Sequence, residues 1–332
     1  MPPRPRQPLG LLHHVDALVE KLRETIPLAL EDGDPDAIHV ARVTTRRLRA
    51  AVDLLEPLGD RDEALRFRRT LRRLRRRLGP IRDIDVMIGH LRRMPSSRSH
   101  GHSVRWLLER LASARTKAGD DARAKSPLHK VLGKLGSWWG LREHIVGAEA
   151  RIDAMLGESL HAQLDAFSTQ ASRLVAAHEG QQVGDEPVDA HAIRIAGKAL
   201  RYTLEMARAA GHELPGAVMK SFKKMQDALG LWHDFVVLTE RSLELSSRAQ
   251  LAHHDGAAQR AVLALAQSSL RRSENQLARF AELWKDSGAA VHDAIASAFA
   301  GAVNEPKTDH GPADLPPISP QEAAALDDPA AA

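Results

Sequence analysis

Three observations predict an all-α protein built from a duplicated unit. Apolar residues recur at spacings of three and four along most of the 332 residues, the period of a helix buried on one face. Ala, Leu, Arg and Glu, all good helix formers, dominate the composition, and no alternating run of Val, Ile and Thr reads as a strand. Two basic motifs also occur twice, in the same order, roughly 150 residues apart.

The elements follow in order. Leu12, Val15, Leu18, Val19, Leu22 and Ile26 set a helix over 9–30, closed by EDGDP. Leu48, Val52 and Leu55 set the next over 36–56, which EPLGD ends. A helix over 60–78 stops at LGP, because Pro lacks a donor and clashes with the preceding turn. Another over 82–94 runs to MPSS, and further helices cover 103–122 and 145–178. HEGQQVGDEP and HELPG bound a helix over 188–210, and the rest are placed at 215–229, 233–247, 251–286 and 287–300. Trp138 and Trp139 fall at an expected turn, with core packing or a partner contact as their role. Residues 1–8 and 301–332, rich in Pro, Ala and Asp, read as disordered tails. That leaves a folded part over 9–300, with a first repeat at about 9–144 and a second at about 145–300.

The chain has no cysteine, which excludes disulfides and thiolate metal sites and suits a reducing cytoplasm. The opening MPPRPRQPLG lacks the apolar core of a secretory signal. No stretch approaches 18 uncharged apolar residues, so no membrane span is expected. The net charge of +4 hides an uneven distribution: ten arginines face two acids over 61–82, whereas residues 301–332 hold six acids and one lysine. A basic body asks for an anionic partner, and the acidic tail is expected to compete weakly for it.

Residues 35–49, PDAIHVARVTTRRLR, align with 187–201, PVDAHAIRIAGKALR, at an offset of 152. His39 meets His191, Arg42 meets Arg194, Arg46 meets Lys198, and Arg49 meets Arg201. Residues 69–86 align with 220–237 at an offset of 151. There Arg69 meets Lys220, Arg72 and Arg73 meet Lys223 and Lys224, Gly79 meets Gly230, and Asp83 meets Asp234. The offsets differ by one residue, as a duplication with a loop indel leaves them. Two positions depart: Arg76 faces Asp227, and Arg82 faces His233.

On a helix, His39, Arg42, Arg46 and Arg49 share an arc of roughly 80°, and Arg69, Arg72, Arg73 and Arg76 one of about 100°. A solvated helix face ordinarily mixes signs, because opposite charges four residues apart are mildly stabilising. These stripes hold almost no acid. Facing one another across an open groove they form a trough for phosphate, with Arg as a bidentate fork and Lys as a point charge. A merely solvated basic face is the alternative. Reading bases needs aromatic platforms or polar groups at base edges, but aromatics are only 4% of the chain and Phe67 sits off the stripe. A phosphate chain without bases fits better, although nonspecific nucleic-acid binding uses the same forces.

The motifs His-x-x-Arg-x-x-x-Arg-Arg-x-Arg over 39–49 and Leu-Gly-x-x-Arg-Asp-x-Asp-Val over 78–86, with their second copies, resemble the CHAD family, the conserved-histidine α-helical domain. The resemblance covers about 9–300. It implies two similar helical bundles related by a pseudo-twofold axis, with a basic groove or cavity between them. It further implies binding of inorganic polyphosphate in the cytoplasm, on polyphosphate granules and with their proteins. The β-barrel catalytic domain with an ExExK signature that often accompanies the family is not visible, so the chain is similar to a stand-alone member. Position by position, His39, Arg42, Arg46, Arg49, His191, Arg194, Lys198 and Arg201 would line the binding surface. Arg69, Arg72, Arg73, Arg76, Lys220, Lys223 and Lys224 would form a second rail.

Each motif histidine follows a proline by four residues, which places it one turn into its helix, where phosphate oxygens are favoured. The alternative is a histidine locked between bundles. Asp83 and Asp234 are read as caps of the helix after each glycine, or as orienters of an arginine. No metal-ligand spacing, Walker A sequence or nucleophile elbow is present. The expectation is a binding module with no cofactor or metal, not an enzyme. Two further readings stand beside it: a metal-dependent polyphosphate hydrolase using Asp83 and Asp234, and a nonspecific nucleic-acid or granule-scaffolding adaptor.

Overall fold

The computed structural model describes residues 10–93, 101–181, 188–247 and 256–299. Among the described residues the chain is all-helical, with no strand. The helices are α1 (Gly10–Pro27), α2 (Pro35–Leu55), α3 (Arg61–Arg92), α4 (Gly101–Lys125), α5 (Leu128–Leu135), α6 (Ser137–Ile145), α7 (Glu149–His178), α8 (Ala190–Ala209), α9 (Gly216–Ser247) and α10 (Gly256–Phe299). Both expected tails and the MPSS break lie outside the described residues.

Local chemistry sets several boundaries. After α1 a single π-type turn (Leu28–Asp32) ends at Gly33, whose φ of 65° suits a residue without a Cβ. Asp34 then caps α2, accepting from the Ala37 N–H at 2.6 Å, with Pro35 at the first helical position. Asp60 caps α3 through the Glu63 N–H at 2.8 Å. Asp189 caps α8 through the His191 N–H at 2.8 Å.

The expected break at LGP does not occur: α3 runs through Gly79 and Pro80. A proline inside a helix costs about 3 kcal/mol. Here it lies on the exposed side, while Leu71, Leu74, Leu78, Ile81 and Ile84 form one buried stripe on both sides of it. Burial of such side chains contributes on the order of 1.5–3 kcal/mol each, enough to carry the helix across. With α3 continuous, Asp83 caps nothing, and Asp234 lies equally deep inside α9. α9 and α10 likewise run unbroken where two shorter helices each were expected. Trp138 and Trp139 lie inside α6, not at a turn. Trp138 is fully buried, donates to Asp16 Oδ1 at 2.8 Å and packs on Phe67, whereas Trp139 stays exposed.

One apolar core runs through both halves, from Leu11 in α1 to Phe299 at the end of α10. In the second half Phe167 is its hub, with Phe222 and Trp284 edge-on at 5.5 and 5.4 Å. A smaller cluster of Ile84, Met87, Leu91, Phe235 and Leu238 joins α3 to α9, with Leu107, Leu111 and Leu265 from α4 and α10. The motif-bearing helices close a ring: α2 packs on α3, α3 on α9, α9 on α8, and α8 on α2. Buried apolar stripes thereby decide which residues the ring brings together.

Candidate functional site

The ring gathers some of the predicted cations and leaves others apart. Between α2 and α3 on one side and α7 and α8 on the other lies a cleft of about 400 Å³. Arg46 and Arg49 from α2, Arg72 and Arg75 from α3, and Lys198 from α8 line it, with the acids Asp53 and Glu158. Arg46 and Lys198 are repeat counterparts 152 residues apart in sequence, and both line this cleft. Five cations against two carboxylates give the cleft a positive excess. Tyr202 and Ala50, also counterparts, line the same space.

His39 is not among the residues that line the cleft. Its pKa lies below the ordinary histidine value, first because packing desolvates the ring and then because Arg82, Arg46 and Arg42 repel a proton there; only Asp36 pulls the other way. In the second half the ring of His191 lies 5.6 Å from that of His233. His233 is the counterpart of Arg82, so the same two positions are neighbours in both halves. His191 is only the second residue of α8, not one turn in, and Pro187 lies outside the described residues.

Arg42 lies deeper than a groove cation would. Its side chain is 11% exposed, its Nη1 donates to the Arg75 carbonyl at 3.2 Å, and its Nη2 is 3.5 Å from Asp83. The orienting role foreseen for Asp83 is the one observed. Arg194, its counterpart, is buried as well. Asp85 instead holds Arg115 of α4, which also donates to the Gly33 carbonyl at 2.7 Å and ties α4 to the start of α2. Asp234 reaches His90 at 3.4 Å.

On α2 and α8 the last cation of the stripe is paired within its own helix. Arg49 binds Asp53 at 2.7 Å, and Arg201 approaches Glu205 at 3.3 Å. Asp53 takes a second cation, Arg68, at 2.6 Å. Glu205 takes Arg47 from the other half, at 2.6 and 3.0 Å. That bidentate pair raises the Arg47 pKa. His14, beside the same pair, has a lowered pKa, first through burial, with Glu205 opposing and Arg47 reinforcing. Asp53 and Glu205 stand four residues after Arg49 and Arg201 and 152 residues apart, so this second pair of counterparts was available in the sequence and was missed.

Arg69, Arg72, Arg73 and Arg76 are exposed along α3, and of these only Arg72 belongs to the cleft. Lys220, Lys223 and Lys224 are exposed on α9, and Lys223 pairs with Asp227 at 2.7 Å. The α9 rail is thus weakened at the position where the repeat departs from Arg76. Phe67 and Trp138 are buried and offer no platform to a base.

No curated protein matches the chain in sequence. Among solved structures, PptA from Streptomyces chartreusis superposes with a TM-score of 0.56 at 15% identity, over 85% of this chain and 100% of that one. The CHAD domain from the plant Ricinus communis superposes with a TM-score of 0.52 at 19% identity, over 90% of this chain and 96% of that one. At these identities the likeness is one of fold. No helix among the described residues is long and apolar enough to cross a membrane. The CHAD domain family model matches residues 13–243, and with well over half of its length matched, the chain belongs to the CHAD domain family.

Proposed function

We propose that this protein binds inorganic polyphosphate as a binding module, not an enzyme, and does so at polyphosphate granules and their proteins. The observation that carries the reading is that Arg46 and Lys198, from opposite halves, line one cleft together with Arg72 and Arg75. Successive phosphates are held there by charge-assisted bonds, each contributing on the order of 1.5–3 kcal/mol before losses to solvent. The exposed row Arg69, Arg73 and Arg76 extends the track along α3, and His39, coupled to Arg46, extends it toward the start of α2. Lys220, Lys223 and Lys224 supply a weaker track on α9. Arg49, Arg201, Arg42 and Arg194 act mainly by shaping the helices that present the others. The carboxylates that the hydrolase reading would use, Asp83 and Asp234, already face Arg42 and His90, which supports binding over turnover.

Titration of labelled long-chain polyphosphate against wild type, Arg46→Ala, Lys198→Ala and the double variant tests this. Each single change is expected to weaken binding about tenfold and the double change more. Unchanged affinity in the double variant overturns the assignment.

A further inference from the structure

Polyphosphate has no apolar surface, yet the cleft that gathers the cations is lined with apolar groups. Leu54, Pro57 and Leu71 from the first half face Met155, Ile195 and Met206 from the second. A volume of about 400 Å³ lies in the range of sites that enclose a small molecule. The uncharged polar groups inside are largely matched among themselves: Thr203 Oγ1 donates to Gln163 Oε1 at 2.8 Å, and Gln163 Nε2 donates to Ser159 Oγ at 3.0 Å. A nucleobase needs unsatisfied donors and acceptors at its edge, whereas an aliphatic chain needs none. Two methionines on the second-half wall, Met155 of α7 and Met206 of α8, adapt to a flexible chain.

We propose that the cleft is a binding site for phosphate esters of aliphatic alcohols. Arg46 and Lys198 hold the phosphate, and the chain lies against Leu54, Met155, Ile195 and Met206. The proposal rests on the reading of Arg46 and Lys198 as phosphate-holding residues; the apolar wall is a separate element that can be tested alone.

Isothermal titration calorimetry of the full chain with octyl phosphate, inorganic phosphate and octyltrimethylammonium tests it, each amphiphile kept below its micelle concentration. Octyl phosphate is expected to bind with one-to-one stoichiometry, at least tenfold more tightly than inorganic phosphate or the cationic amphiphile. Met155→Gln and Ile195→Asn, on separate helices, are each expected to cost octyl phosphate at least threefold, while long-chain polyphosphate stays within twofold of wild type. Arg46→Ala is expected to weaken both ligands. Octyl phosphate binding no tighter than phosphate, while polyphosphate still depends on Arg46, overturns this site and leaves the polyphosphate reading intact. Indifference of both ligands to Arg46→Ala overturns the reading on which the site rests, and the site with it.

Discussion

The Arg42 guanidinium lies against Gly79 of α3, so close that a Cβ at that position would stand 2.8 Å from Arg42 Nη1. The glycine is what lets the arginine reach the Arg75 carbonyl and Asp83. At the counterpart, Gly230, an added Cβ meets nothing within 4 Å. Because Arg42 is held there by the Arg75 carbonyl and Asp83, the two glycines of the repeat are expected to answer the same substitution in opposite ways. Gly79→Ala displaces Arg42 and is expected to destabilise by about 1 kcal/mol despite its better helix propensity. Gly230→Ala is expected to stabilise by about 0.5–1 kcal/mol. Urea unfolding midpoints of the two variants check the contrast.

Glu205 couples the halves, because it receives Arg47 from α2 while pairing with Arg201 on its own helix. Glu205→Gln keeps the shape and removes the charge, and is expected to cost about 1–2 kcal/mol. A double-mutant cycle with Arg47→Met isolates the pair across the interface. Coupling near zero would show that apolar packing alone joins α2 to α8.

Two histidines make the fold sensitive to acid. His14 and His39 both have folded pKa values below the ordinary one, each chiefly through desolvation. The unfolded chain therefore takes up protons first as pH falls through about 6.5. Their contribution to stability is complete above that value and is lost as pH drops toward the folded pKa values. Chemical unfolding at pH 7.5 and 5.5 is expected to show the loss, reduced in His14→Gln and in His39→Gln. Where polyphosphate lies against His39, as proposed, its oxygens would favour the charged ring, so binding is expected to take up protons and to strengthen as pH falls from 8 to 6. Dependence of the binding enthalpy on buffer ionisation measures that uptake; a flat profile places His39 outside the contact.

The salt dependence follows from displacement of counterions. By analogy with single-stranded nucleic acids, log affinity falls linearly with log salt with a slope of about −0.7 per phosphate neutralised. Removing Arg46 or Lys198 is expected to flatten that slope by roughly one contact. Removing Arg42, which is occupied by Asp83 and the Arg75 carbonyl, is expected to act on stability more than on slope.

Sequence reasoning reached the helical class and the repeated basic positions because periodicity and duplication are local patterns, carried residue by residue in α2, α3, α8 and α9. It failed at Pro80, where a local rule gave way to the buried stripe from Leu71 to Ile84. It also passed over α5 and α6, because Gly133, Gly136 and Gly140 break up their short periods. Among the cations, residue type indicated charge but not depth. Arg46 and Arg42 stand four residues apart on one helix, yet one lines a cleft and the other is pinned against Gly79. That difference is set by the neighbouring helix, and a single stripe does not contain it.

The central claim, capture of a phosphate chain without bases by cations from both halves, is tested most directly by competition. Labelled long-chain polyphosphate, bound to wild type and to the Arg46→Ala/Lys198→Ala variant, is displaced with unlabelled long-chain polyphosphate and, separately, with duplex DNA, single-stranded RNA and triphosphate, at two salt concentrations. The account predicts that unlabelled long-chain polyphosphate competes far better than any of the three, and that the double variant loses this preference. Equal displacement by all polyanions, or binding untouched in the variant, would contradict it.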